Sequence, residues 1–385
     1  MKNPGFMIFF TIVLTIYALV NFYIFIRGWQ AIPRGSGFRI YYLVIFLFIA
    51  LSFIAGRFLE RAYPSLGSEI LVWIGSFWLA AMLYFFLAVV ILDLARLVNH
   101  FFPFYPASVT ADYGRAKFLA GLVTAIVVVL TVTSGFVNAL TPRVRHLTID
   151  IPKKAAEMKE INLVAVSDIH LGTLVGRRRL NDMVAKVNAL APDIIILAGD
   201  IVDEDIGPVI RENLGEMLRT LKAPLGVYGI TGNHEYYAGV EEVCRYLTEH
   251  GVAMLRDSTI RINSSFYLIG REDREKNRFT GIPRKTLDSL LAGSDPNLPV
   301  IVLDHQPFQL DDVVNHGADL QISGHTHHGQ LWPLNFVTDA IYQLSVGYKK
   351  IGGTSFYVSS GFGTWGPPVR LGNRPEIMQI KLRLL

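Results

Sequence analysis

The sequence predicts a protein in two parts, a membrane region of four transmembrane helices followed by an α/β domain built on largely parallel strands. Three observations predict it. Long apolar runs fill residues 1–145 of the 385-residue chain. Beyond residue 146 short β-rich runs alternate with helix-like stretches. Charge divides at the same point: residues 1–145 hold 11 Lys+Arg and 4 Asp+Glu, a balance of +7, whereas 146–385 hold 25 and 28, a balance of −3.

An apolar helix needs about 20 residues to cross a bilayer, and four runs meet that length. They are residues 6–26, closed by Arg27; 40–59, with Arg57 near its end; 70–92, ended by Asp93; and 118–140, ended by Thr141-Pro142-Arg143. The first is expected to be retained, because bulky residues and Arg27 stand where a signal peptide has small residues for cleavage. The lipid bilayer is therefore the first expected partner, and a multi-pass protein of the cell membrane the expected location. Loops one and three carry Arg27, Arg34, Arg39, Arg96, Arg115 and Lys117, against Lys2, Arg57, Arg61, Arg143 and Arg145 on the other side. By that margin of one charge, the positive-inside rule puts the second half on the extracytoplasmic side.

The basic excess flanks hydrophobic runs, as at membrane edges. A nucleic-acid surface would put a basic stripe on the soluble part, so no nucleic-acid partner is expected. Cys244 is the only cysteine, which excludes an intramolecular disulfide and a cysteine-rich zinc site.

In the second half the expected strands are Ile161–Ser167, Ile194–Ala198, Val227–Ile230 and Val300–Leu303. Helices are expected over Arg178–Leu190, Val209–Leu221 and Val240–His250. Such alternation implies parallel strands, and ligands then bind beyond the carboxyl ends of the strands.

Polar motifs follow these strands directly. Ser167-Asp168-Ile169-His170 offers a carboxylate and an imidazole two residues apart. Ala198-Gly199-Asp200 puts a carboxylate at a strand end, where it serves as a bridging metal ligand or as the cap of the next turn. Thr231-Gly232-Asn233-His234-Glu235 supplies a neutral amide oxygen at Asn233 beside an imidazole that faces elsewhere, although Gly-Asn is also turn sequence. His305, after Val300–Leu303, is by itself a structural hydrogen-bonding group as readily as a ligand. Gly324-His325-Thr326-His327-His328 carries the strongest local signal, since imidazole is a common metal ligand. Together these residues form an all nitrogen and oxygen ligand set, suited to Mn, Fe or Zn. It is too large for one ion and suits two divalent ions sharing a carboxylate. Six of the ten histidines lie in these motifs; His100, His146, His250 and His316 do not and are expected to be structural.

The ordered set closely resembles the calcineurin-like metallophosphoesterase family. The resemblance covers residues 146–385, and the tail, with Gly361-Phe362-Gly363, Pro368-Val369-Arg370-Leu371 and Arg374-Pro375-Glu376-Ile377, is similar to a membrane-associated or exported bacterial branch. It implies an α/β sandwich of two β-sheets flanked by helices. It further implies that Asp168, His170 and His327 hold one metal, that Asn233, His305 and His325 hold the other, and that Asp200 bridges them. His234 would not bind metal but would stand beside the phosphate as general acid or charge stabiliser. One departure matters: the branch reads G-H-T-H-G-G-Q, and this chain has His328 at the first of the two glycines. If the backbone there needs a positive φ, histidine is strained. Its imidazole then reaches substrate or faces outward. Asn233 and Arg177 are further candidate substrate contacts, although the start of a solvated helix accounts better for the Arg177-Arg178-Arg179 run.

The implied function is a membrane-anchored phosphoesterase that cleaves a phosphate diester or pyrophosphate, lipid-linked in view of the short linker, by a metal-activated hydroxide. Two divalent ions, two carboxylates and one hydroxide sum to about +1, which favours an anionic phosphate over a neutral ester. The alternatives are a phosphomonoesterase or nucleotide phosphatase on the same site, and a catalytically silent membrane scaffold. A transporter with a regulatory domain ranks below these, because the spans lack the paired buried charges that would mark an ion path.

Overall fold

Each predicted apolar run becomes a longer helix in the computed structural model, which describes residues 4–152 and 157–385; Lys2 and linker residues 153–156 lie outside the described residues. The helices are Pro4–Ala31, Phe38–Ala62, Leu66–Phe101 and Tyr113–Ala139. All four are long and apolar enough to cross a membrane. Their large side chains, among them Phe22, Ile40, Phe48 and Leu130, stand exposed as lipid-facing residues do. At 1.5 Å per residue the 36-residue third helix is about 54 Å long, well beyond a hydrocarbon core of about 30 Å. It therefore runs past Leu92 and carries Asp93 inside it. Asp93 accepts from Tyr23 Oη at 2.6 Å and pairs with Arg27 Nη2 at 2.6 Å. Arg57 pairs with buried Glu60 at 3.2 Å. The Arg27–Asp93 pair joins two helices far apart in sequence, so no local run displays it. Arg27 and Glu60 both lie in the last two turns of their helices, not at mid-span.

The chain divides into two compact units, Met1–Gly135 and Phe136–Leu385. Among the described residues of the second unit, twelve strands form two six-stranded sheets. The first sheet contains β1 (Arg143–Ile151), β2 (Glu160–Val166), β3 (Ile194–Ala198), β4 (Val227–Ile230), β5 (Ala253–Met254) and β12 (Glu376–Leu384), in the order β1-β12-β2-β3-β4-β5. The second contains β6 (Ser258–Ile262), β7 (Phe266–Gly270), β8 (Val300–Leu303), β9 (Leu320–Ser323), β10 (Gly347–Ile351) and β11 (Thr354–Val358), in the order β10-β11-β9-β8-β7-β6. Pairing is parallel through β2-β3-β4-β5 and β7-β8-β9-β11, with antiparallel pairs at β12-β2, β6-β7 and β10-β11.

Side-chain alternation explains the layers. Leu163 and Ala165 of β2, Ile194 and Ile196 of β3, and Ile301 and Leu303 of β8 meet in the core between the sheets. The intervening Val164, Val166, Ile195 and Leu197 face the opposite way and pack on Leu180, Met183, Val187, Val243 and Leu247 from helices Arg177–Ala189 and Val240–Glu249. Val300 and Val302 pack on Leu287, Leu290, Leu310 and Val313 on the far side of the second sheet. Strands buried on both faces read as continuous apolar runs. The predicted helix Val209–Leu221 is instead two short helices, Gly207–Arg211 and Gly215–Leu218. Asn213 between them is left-handed, with φ 51°, a conformation that asparagine tolerates and a helix cannot contain.

Candidate metal centre

The parallel strands β2, β3, β4, β8 and β9 bring their carboxyl ends to one rim, and each ends in a polar motif. The loops there continue the ladders. Asp168 N donates to Gly199 O at 3.0 Å, His170 N to Asp200 O at 3.0 Å and Gly324 N to His305 O at 2.9 Å. The backbone is left-handed at Asp168, His170, Asp200, His325 and His327. Non-glycine residues hold that conformation at a cost of about 1–3 kcal/mol each, and it clusters at functional sites. Gly199, also left-handed, is required for space: a Cβ there would lie 2.5 Å from His305 Nδ1.

All seven candidate ligands converge. Asp168, His170 and His327 present ligand atoms within 4.8 Å of one another, as do Asp200, His305 and His325. His170 Nε2 faces His327 Nε2 at 3.0 Å, and His327 Nε2 lies 3.4 Å from Asp168 Oδ1. Asp200 Oδ2 lies 3.0 Å from His305 Nε2 and 3.9 Å from His170 Nε2, so it stands between the two groups. Asn233 Oδ1 meets His325 Nδ1 at 2.9 Å. Carboxylate oxygens also orient the loops, with His325 N donating to Asp168 Oδ1 and His234 N to Asp200 Oδ1. The other ring nitrogen of His305 contacts Ala198 O at 2.8 Å, the kind of carbonyl contact that orients a metal-binding histidine.

The cluster fits divalent cations. Asp168 Oδ2 is buried without a hydrogen-bond partner, and two imidazole nitrogens face each other. Burial pushes the Asp168 carboxyl up. At Asp200 burial acts the same way but is outweighed by His305 and His234, which hold its carboxyl well below the usual range. His305 answers: burial opposes its charge, yet Asp200 and Asp168 carry it well above the ordinary histidine value. The carboxylates thus draw positive charge into a buried place, a demand that divalent ions also meet. His325 is pushed down to about 3 by burial and by the charge of His305, and His327 well down by burial and by Arg370. Neutral imidazole is the form that binds metal.

His234 stands at the edge of the cluster, its Nδ1 3.2 Å from Asp203 Oδ1. Burial lowers its basicity, but Asp200 and Asp203 outweigh burial and raise it to about 9. His170, Asp203 and His234 form a third group with ligand spacing. Aromatic rings border it, Tyr237 at 5.4 Å and Trp365 at 6.2 Å from the His234 ring.

Two sequence candidates lie elsewhere. His328 is left-handed, with φ 45° and ψ 47°, and its Nδ1 points to Ser345 Oγ at 3.1 Å and Asp339 Oδ1 at 3.6 Å. Arg177 opens helix Arg177–Ala189, exposed, with its guanidinium held by Glu212 O. Three residues were missed. Asp203 stands three positions after Asp200, a spacing that could have flagged it. Buried Glu235 accepts from Gly232 N (2.6 Å), Ile201 N (2.7 Å), Asp200 N (3.0 Å) and Val202 N (3.0 Å). Fully buried Arg370 reaches His327 Nδ1 at 3.0 Å.

The family model described as calcineurin-like phosphoesterase matches residues 161–329. A "Transmembrane protein with metallophosphoesterase domain" from Bos taurus is 34% identical over 281 residues, 69% of this chain and 62% of that protein. The chain thus spans less than two thirds of that relative's length. An uncharacterized metallophosphoesterase of Aquifex aeolicus is 32% identical over 63% of this chain and 92% of its own length. One from Campylobacter jejuni is 29% identical over 98% and 99%.

Proposed function

Because the chain belongs to the calcineurin-like metallophosphoesterase family, we propose that it is a membrane-anchored hydrolase of phosphate diesters or pyrophosphates, acting with two divalent ions on a lipid-linked substrate. The observation that carries this reading is the buried convergence of Asp168, His170, Asp200, Asn233, His305, His325 and His327, with Asp200 between the two groups. Asp168, His170 and His327 would hold one ion, Asn233, His305 and His325 the other, and Asp200 both. Mn, Fe and Zn suit these donors. When bound, two such ions acidify water and neutralise charge on both sides of an in-line displacement.

The chain's own residues do the rest. Glu235 fixes the loop that carries Asp200 relative to Asn233 and His234. Asp203 holds His234 protonated, so that its imidazolium can give a proton to the leaving oxygen. Tyr237 and Trp365 offer apolar surface beside His234, which suits an organic leaving group. The positive-inside count supports an extracytoplasmic catalytic domain, and protease accessibility of that domain in intact cells would test it.

The deciding experiment is hydrolysis of bis(p-nitrophenyl) phosphate and p-nitrophenyl phosphate by the full chain in detergent, with and without Mn²⁺. Metal-dependent hydrolysis favouring the diester is expected. A preference for the monoester would give the phosphatase alternative, and silence on both substrates after metal loading would sink the enzyme reading. Turnover of a lipid pyrophosphate in bilayers is expected to exceed that of the soluble diester; equal rates would remove the lipid-linked part.

Two variants test His234. His234→Ala is expected to lower kcat by about 10²–10⁴-fold with metal content unchanged, and loss of metal would make it a ligand. Asp203→Asn removes a carboxylate that raises the His234 pKa, so the acid form is lost at lower pH. The alkaline limb of the kcat/KM profile is expected to move down by about 1 unit; an unmoved limb would dissociate Asp203 from the proton donor.

A further inference from the structure

A second cavity, of about 680 Å³, lies within Phe136–Leu385 and is lined by none of the seven candidate ligands. Arg143 and Arg145, two apart on β1 and so on one face of the strand, line it with Arg374, Asn138 and Glu376. Three guanidiniums thus face one carboxylate. Glu376 does not satisfy them: its Oε2 is 3.7 Å from Arg143 Nη2 and 3.6 Å from Arg145 Nε, beyond hydrogen-bond length. Its Oε1 is engaged by Tyr357 Oη and Ser360 N, both at 3.2 Å. Arg143 Nε is buried with no hydrogen-bond partner. Arg374 Nε donates to the neutral Asn138 amide at 3.0 Å. An excess of planar, fork-shaped cations with donors to spare is the chemistry that binds phosphate oxygens.

Two observations say where the phosphate comes from. The fourth apolar helix ends at Ala139. Arg143 follows four residues later, within about 14 Å of chain, so the strand that carries two of the three arginines is tethered closely to the end of an apolar helix. Beside the cavity is an apolar ledge. Gly372 lines the cavity, and a Cβ built there would meet Trp332 at 3.2 Å. Trp332, Leu334, Phe336, Val337 and Ile341 are 40–62% exposed. Exposed apolar surface rimmed by cationic side chains is how a protein seats itself in the headgroup layer.

We propose that this cavity is a phosphate site for an anionic membrane lipid, with the headgroup phosphate on Arg143, Arg145 and Arg374 and the ledge against the acyl boundary. The inference stands apart from the hydrolase reading, since a chain without activity would still bind. The test is calorimetric titration of the metal-loaded full chain in neutral detergent with dihexanoyl phosphatidic acid, dihexanoyl phosphatidylcholine and inorganic phosphate. Phosphatidic acid is expected to bind saturably, inorganic phosphate more weakly at the same site, and phosphatidylcholine not at all. The double variant R145Q/R374Q is expected to weaken phosphatidic acid by about tenfold or more, with an unchanged thermal midpoint as the check of fold, and R145K to fall between. Phosphatidic acid binding that is absent, or unchanged in the double variant, overturns the proposal. Inorganic phosphate bound without phosphatidic acid overturns it too, by making the ligand a free anion.

Discussion

Asp200→Asn is expected to leave the chain with fewer than two divalent ions and to lower kcat by about 10³-fold or more. Asp200 stands between both histidine groups, with Oδ2 3.0 Å from His305 and 3.9 Å from His170. The substitution keeps its shape but removes one of the two carboxylate charges among the candidate ligands. His305 and His234, which hold Asp200 ionised, would then surround a neutral amide, and two dications would be left facing only Asp168. Losing about 4 kcal/mol of transition-state stabilisation is a factor of about 10³. Elemental analysis of the purified variant beside its kcat on a soluble diester is the measurement. Two ions per chain with near-normal turnover would remove Asp200 from the bridging role.

Glu235→Ala is expected to destabilise the second unit more than any other single change at the rim. The carboxylate takes four backbone N–H groups from two loops, and all four lie buried. Alanine leaves them without an acceptor. At about 1 kcal/mol each, the low end for a buried unsatisfied donor, the four cost about 4 kcal/mol. For a domain of this size that lowers Tm by roughly 8–16 °C. Glu235→Gln keeps the volume but turns one acceptor into a donor facing donors, and is expected to fall between. Thermal unfolding in chelator, so that bound metal does not mask the loss, is the measurement. An unshifted Tm for Glu235→Ala would show that the loops are held by other contacts.

Strands were legible where the apolar run is unbroken, whereas β9 and β11, equally buried but carrying Gln321, Thr354 and Ser355, were not. In β3 and β8 every residue is apolar, and the polar residue that follows each run is the one delivered to the rim. The candidate ligands were legible for a related reason, each standing within four residues of a strand's carboxyl end. The break at Asn213 was not, because the apolar pattern continues through it and only the local backbone reverses. Asp203, Glu235 and Arg370 had no visible role because their partners are backbone amides and imidazoles from distant segments. The Arg27–Asp93 pair was hidden in the same way. The departure at His328 was visible as a residue; its direction depended on Ser345 and Asp339, which no motif mentions.

The left-handed backbone at Asp168, His170, Asp200, His325 and His327 sets activity and robustness against each other. Glycine at any of these positions would relieve torsional strain and destroy the chemistry, while alanine would destroy the chemistry and relieve nothing, since it keeps the offending Cβ. An inactive glycine variant can therefore outlast the working protein on heating. A screen that rewards thermal tolerance alone would drift toward a quiet shell around an empty rim.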